Sequence, residues 1–202
     1  MIPDAYFDRF STPKYRNPNP VQRLLIRRFV RELHDLFVEA LPAQTVLEVG
    51  VGEGFLSGYL AEKLPGTKFV GVDSSAGDLA ELSRRFPTIE THCASLYDVA
   101  DLGVRPDVLL CCEVLEHVDD PARAVEVLRG LEPKQAIFSV PHEPFFMLSN
   151  LARGKNVTRL GNDIDHVNHW GGRSFRRLLE RSFRVDRFAT SYPWLLARSH
   201  PR

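Results

Sequence analysis

Val46-Leu47-Glu48-Val49-Gly50-Val51-Gly52-Glu53-Gly54-Phe55-Leu56 is the stretch that decides the fold of this 202-residue chain. An apolar run, broken only by Glu48, meets glycine at positions 50, 52 and 54, and Phe55-Leu56 then opens a helical pattern. This is a strand, a tight turn and a helix, in which glycine lets the backbone bend sharply and approach a ligand closely. A dinucleotide fingerprint begun at Gly50 needs a sixth-position glycine at 55, where Phe stands. Glu48 adds a second constraint. A carboxylate at a strand end is costly to bury without a partner; a cationic ligand supplies one and a pyrophosphate does not.

Downstream, Phe69-Val70-Gly71-Val72-Asp73 is a second strand ending in an acidic residue, 23 positions after Gly50. An aspartate there either accepts hydrogen bonds from both ribose hydroxyls or caps the next helix. In combination with the glycine turn the ribose role is favoured. The same alternation continues, with strands over 45–49, 68–73, 89–93, 107–112 and 135–140 and helices over 54–64, 77–86 and 121–129. A helix over 173–181 and a closing antiparallel pair over 183–190 and 194–199 complete it. Short apolar runs alternating with amphipathic stretches predict a mostly parallel sheet wrapped by helices on both sides.

Upstream, residues 1–20 carry four prolines and read as an irregular arm. From Val21 to Leu41 apolar residues recur with helical spacing, while Arg23, Arg27 and Arg31 mark the other side as a solvated face. Residues 141–170 separate the fifth strand from the next helix, a connection long enough to imply a functional role.

Bulk properties narrow the function. Twenty-six basic residues balance 26 acidic ones, so no global field draws the protein to nucleic acid or anionic lipid. Three cysteines, two of them adjacent in an apolar run, argue against a disulfide framework and for a reducing, cytoplasmic setting. Neither a signal peptide nor a membrane span is expected.

Taken together, 47–54, Val72-Asp73 and Asp107-Val108-Leu109-Leu110-Cys111-Cys112-Glu113-Val114-Leu115-Glu116-His117-Val118 resemble the class I S-adenosylmethionine-dependent methyltransferases over about Thr45 to Val140. The resemblance implies a single α/β domain: a Rossmann-like, doubly wound, mostly parallel seven-stranded sheet, with an N-terminal arm and cap helix over 1–41 and a lid over 141–170. It implies that Glu48 holds the methionine end of the cofactor, that Gly50 and Gly52 admit it, and that Asp73, followed by Ser74, binds the ribose. Ser95 and Leu96 would border the adenine and Cys112 would face the methionine portion. Many relatives carry an acidic residue where Ser95 stands, although a hydroxyl also accepts a bond from the adenine amino group.

An oxygen acceptor needs a base, because an unionised hydroxyl is a poor nucleophile. His117, His142, His166 and His169 all follow strand ends or lie in the long insertion, and His117, His166 and His169 are the candidates for proton removal or acceptor contact. A rival reading uses Glu113, Glu116 and His117, spaced to share one face of a helix, with His166. This set resembles the metal site of Hen1-type small-RNA 2′-O-methyltransferases. Glu-x-x-Glu-His also occurs in methyltransferases without a metal, and the neutral charge balance favours that case, so no metal is expected. The insertion's Phe145, Phe146, Met147, Leu148 and Leu151, followed by Arg153, Lys155 and Arg159, reads as a lid helix or as a pocket for an amphiphilic acceptor. The expected activity is O-methylation of a small molecule. A metal-assisted RNA methyltransferase and a nonenzymatic cofactor-binding member are the alternatives.

Overall fold

A computed structural model describes residues 2–202. One seven-stranded sheet, ordered β3-β2-β1-β4-β5-β7-β6, forms the centre. Its strands are β1 (Thr45–Val49), β2 (Lys68–Asp73), β3 (Glu90–Cys93), β4 (Val108–Cys112), β5 (Gln135–Pro141), β6 (Phe183–Ser191) and β7 (Trp194–Pro201). The first five run parallel; β7 inserts antiparallel between β5 and β6. The helices are α1 (Asp4–Phe7), α2 (Pro13–Arg16), α3 (Pro20–Val38), α4 (Phe55–Ala61), α5 (Ala76–Arg85), α6 (Pro121–Gly130), α7 (Phe145–Ala152) and α8 (Gly172–Leu179).

Side chains alternate between two cores, as the period of two along a strand requires. Val46, Phe69, Val108, Leu110 and Ile137 pack with α3, α4 and α5 on one face. Leu47, Val70, Leu109, Cys111 and Phe138 pack with α6 and α8 on the other. Both faces being covered explains why β4 is buried at all five positions. The strand order reverses beside β1, which opens a crevice beyond the carboxyl ends of β1 and β4, where ligands bind in open α/β sheets.

The expected strands lie where the structure has them, to within a residue or two, but the expected arm does not. Residues 2–20 contain two helical turns, and Ile2, Tyr6, Phe7 and Phe10 are buried. The proline density conceals a sequence whose aromatics fill the space over α4: Tyr6 donates its hydroxyl to the Phe55 carbonyl at 2.8 Å, and Phe10 meets the Phe55 ring edge-on at 4.9 Å. Of the three arginines expected on a solvated face, Arg31 is exposed, but Arg23 and Arg27 are part of the same packing. Arg23 bonds Asp4 and Asp8 at 2.8 and 3.0 Å, Arg27 bonds Asp4 at 2.6 Å, and both guanidinium groups lie over the Phe7 ring. At Arg23 and Arg27, the face read as solvent-exposed clasps α1.

Candidate cofactor and acceptor site

The glycine turn is built from its hydrogen bonds outward. Gly50 N–H donates to the Val72 carbonyl at 2.8 Å, which ties the turn to β2. Gly50 has φ +77°, and a Cβ on it would stand 2.2 Å from a Val114 methyl, so both backbone and space demand glycine. At Gly52, with φ +51°, a Cβ would meet nothing within 4 Å. The packing inside the protein leaves that position open toward the cavity.

Asp73, at the tip of β2, accepts the Gly52 amide at 2.8 Å and the Ser75 amide at 2.9 Å. Its carboxylate therefore braces the glycine turn from one side. Glu48 braces it from within: it is 3 % exposed and accepts both the Ser57 amide at 3.0 Å and the Ser57 hydroxyl. Burial pushes the Glu48 carboxyl up to about 7, against the pull of the Ser57 bonds and with the Asp73 charge adding to the rise. The turn thus carries two carboxylates, one buried and short of positive charge.

A cavity of about 740 Å³ extends from this turn to the far side of β4. Its walls include Glu48, Gly50, Gly52, Cys112, His117 and His166, which the sequence reading had singled out. Asp73 lies behind Gly52, outside the walls. Ser74 is exposed. Ser95 caps the short 3₁₀ helix Leu96–Leu102 by accepting the Tyr97 amide, and Leu96 is buried against the α6 side of the sheet. His169 is exposed and bonded to Asn162 Oδ1 at 2.9 Å, and His142 is half-buried at the start of the insertion. Two of the four histidines reach the cavity; the other two do not.

At the acceptor end the segment after β4 is a tight turn, not the helix on which the shared-face argument rested. Glu113 has φ +61°, and its carboxylate turns away to accept the Trp194 indole N–H at 2.5 Å, with Lys14 Nζ at 3.6 Å. Glu116 points differently. It is 1 % exposed, and neither carboxylate oxygen has a hydrogen-bond partner among the described residues. Burial holds its carboxyl well above the usual range, and the Glu113 charge adds to this. His117 and His166 offer ring nitrogens so placed that these and a Glu116 oxygen all lie within 4.8 Å of one another. His117 Nδ1 lies 2.8 Å from the Asp165 carbonyl, an acceptor only, so Nδ1 carries the proton and the neutral ring keeps its lone pair on Nε2. The His166 ring is pushed down to about 4, by burial first and then by the neighbouring His117.

The sequence reading missed the contribution of the arm. Thr12 Oγ1 and Ser11 N–H donate to the Glu53 carboxylate at 2.7 and 2.8 Å, opposite Arg85 at 3.4 Å. Tyr15 stacks flat on Phe55 with centroids 3.8 Å apart. Lys14, Tyr15, Leu25, Phe29 and Trp194 line the cavity. The signal available was four aromatics in the first fifteen residues, which no solvent-exposed arm would need.

The sheet order, the glycine turn and the acidic tip of β2 define the class I methyltransferase fold. Residues 21–182 match a family described as "Methyltransferase domain", and the chain belongs to it. Among curated relatives, a ubiquinone biosynthesis O-methyltransferase of Azorhizobium caulinodans is 32 % identical over 104 residues, covering 50 % of this chain and 40 % of the relative. Its counterpart from Idiomarina loihiensis is 34 % identical over 109 residues, covering 50 % and 43 %. The chain therefore spans under half the length of these relatives. Among solved structures, magnesium protoporphyrin IX methyltransferase from Synechocystis with bound S-adenosylhomocysteine superposes with TM-score 0.71 at 20 % identity, covering 98 % of this chain and 94 % of the other. The methyltransferase domain of a bacterial Hen1 gives 0.65 at 20 %, covering 87 % and 99 %. These two likenesses concern the fold.

Proposed function

We propose that the chain transfers a methyl group from S-adenosylmethionine to a hydroxyl of a small-molecule acceptor. The observation that carries this is the unfilled space over Gly52, between Glu48 and the Asp73-braced backbone, in the same cavity as Glu116, His117 and His166. S-Adenosylmethionine brings a methyl group already activated on a cationic sulfonium, which suits the ionised form of the buried Glu48. Asp73 would exchange its Gly52 bond for ribose hydroxyls, and Glu48 would face the positively charged amino-acid end. The chain's main task is then alignment and exclusion of water. Tyr15 and Phe55 close the cavity over the turn, and Leu25, Phe29 and Trp194 form an apolar wall for the body of the acceptor. His117 Nε2 takes the hydroxyl proton, its ring fixed by Asp165.

A second reading rests on Glu116, whose two unpartnered oxygens are an expensive thing to bury. Glu116, His117 and His166 would hold a divalent cation, and such an ion lowers the pKa of a bound hydroxyl. The set is three residues, not four, because Glu113 is taken by Trp194 and Lys14. The balanced charge of the chain supports a small acceptor in this case too, above an RNA.

Calorimetry with S-adenosylmethionine, S-adenosylhomocysteine and NAD, on wild type and Asp73→Ala, tests the first reading. Binding of the two sulfur nucleosides, lost in the variant, is the expected result; binding of NAD alone overturns it. A screen of hydroxylated acceptors with and without chelator separates the two readings, since only the second predicts that chelation stops turnover.

A further inference from the structure

Large apolar side chains left exposed are informative when they cluster. In this protein they do. Phe145, Leu148, Val157 and Leu160 are 43, 54, 59 and 71 % exposed, and all four fall within the insertion's α7 and the loop after it. Ile164 and Val167, at 72 and 59 %, flank the cavity-lining His166. The segment is continuous in space. Asn150 donates to the Gly161 carbonyl at 2.8 Å, which brings Leu160 beside α7, and Arg153 reaches Gln22 of α3 at 3.0 Å. Gln22 stands between Val21 and Leu24, at 59 and 47 % exposed, on the first turns of that helix. The apolar face therefore runs around the mouth of the cavity.

Two further features set this face apart from an accidental patch. Leu160 adopts φ +53°, a left-handed backbone that a leucine disfavours, yet its side chain packs on nothing that hides it. Between Pro144 and Asn162 the chain carries Arg153, Lys155 and Arg159 and no carboxylate, although the whole sequence is neutral. Arg153 and Arg159 have no carboxylate within ion-pair distance among the described residues, while Lys155 pairs with Asp163. Exposed apolar side chains beside exposed cations, with Arg159 free of any carboxylate among the described residues and Arg153 held only by the neutral oxygens of Ser149, Gln22 and Asn150, suit an anionic bilayer surface, where the apolar chains enter the headgroup boundary and the cations meet lipid phosphates.

We infer that the face formed by α7, the 157–161 loop and the start of α3 docks on an anionic phospholipid bilayer and turns the cavity mouth toward it. The part of this that concerns substrate rests on the cavity being the acceptor chamber: the acceptor class is then an apolar hydroxy compound dissolved in the bilayer. Docking itself does not depend on that reading.

The test is flotation of the full chain with vesicles of phosphatidylcholine alone or with a third of phosphatidylglycerol, at low and high salt. The expected result is binding to the anionic vesicles, reduced at least tenfold by high salt and weak on the neutral ones. Leu148→Gln with Leu160→Asn should lower binding about tenfold without lowering the melting temperature, because both sites are exposed and Asn accepts the left-handed backbone better than Leu. Arg159→Glu should lower it on anionic vesicles alone. Equal binding to both vesicle types, or none to either, overturns the inference. So does a self-association that the double variant abolishes while vesicle binding is absent, which assigns the face to a protein partner. Calorimetry with S-adenosylhomocysteine on the same double variant should be unchanged, so failure of docking and failure of the methyltransferase reading are read separately.

Discussion

The two ends of the cavity are built on opposite principles. At the glycine turn both carboxylates are engaged: Asp73 holds two backbone amides, Glu48 holds the Ser57 amide and hydroxyl through one oxygen, and the space over Gly52 is left unfilled. At the far end apolar side chains such as Leu25, Phe29 and Trp194 share the wall with polar ones, and among the described residues the two Glu116 oxygens have no hydrogen-bond partner, with His117 Nε2 4.0 Å from one of them. On the proposed function, the first end is a mould for one ligand. The second stores unsatisfied chemistry, which a protein tolerates where it is used.

That contrast can be broken experimentally, and the largest effect is expected at Glu116. Glu116→Met should raise the melting temperature, since an unpartnered buried carboxyl costs about 1–3 kcal/mol, while on the cation-holding reading turnover with an identified acceptor falls about 10³-fold. A variant that loses stability would show that Glu116 is a structural group after all. Asp73→Ala probes the other end, where a bond to a charged acceptor is worth about 1.5–3 kcal/mol. Affinity for S-adenosylhomocysteine should fall about 100-fold by calorimetry, and circular dichroism checks that the β2 tip survives loss of its two amide bonds.

Gly52→Ala sharpens the mould argument. Its Cβ clashes with nothing, so the stability loss should stay at about 1 kcal/mol from the positive φ, while cofactor affinity drops about tenfold because the methyl group fills the ligand's space. Gly50→Ala, which drives a Cβ into Val114, should cost much more stability at the same chemical change.

The smallest effect is a pH dependence at Glu48. Its folded value of about 7 lies above its ordinary 4.5, so the folded state binds the extra proton. This contribution to stability is complete below about pH 4.5 and is lost as pH rises through 7. Cofactor affinity should change the opposite way, because a cationic ligand prefers the ionised form: binding strengthens a few-fold between pH 6 and 8, with proton release seen in buffers of different ionisation enthalpy. A flat profile would place the positive end of the cofactor elsewhere.

What the sequence disclosed follows this same division. The cofactor end is encoded in contiguous runs, 46–56 and 69–73, where backbone conformation and a single acidic residue carry the signal, and there the strand boundaries and the bracing carboxylates are where the pattern places them. The acceptor end is assembled across long separations. His166 meets His117 because a connection of almost fifty residues folds back, and no local period reports that. The helix assumed for Glu113–His117 fails because Glu113 takes a positive φ, which sends its carboxylate to Trp194, eighty-one positions away. In the arm, prolines dominated the pattern and hid the aromatics, whose partner on α4, Phe55, lies nearly fifty residues further along.

One strap deserves a final consequence. Residues 11–15 fasten to Glu53 at the nucleotide side, lay Tyr15 on Phe55, and set Lys14 against Glu113 at the other. A single short segment is thus latched over both compartments at once. On the proposed function, lifting it would uncover the two together, so that departure of a spent nucleoside and renewal of the acceptor would become one event, its tempo set by five residues that touch neither the bond being made nor the bond being broken.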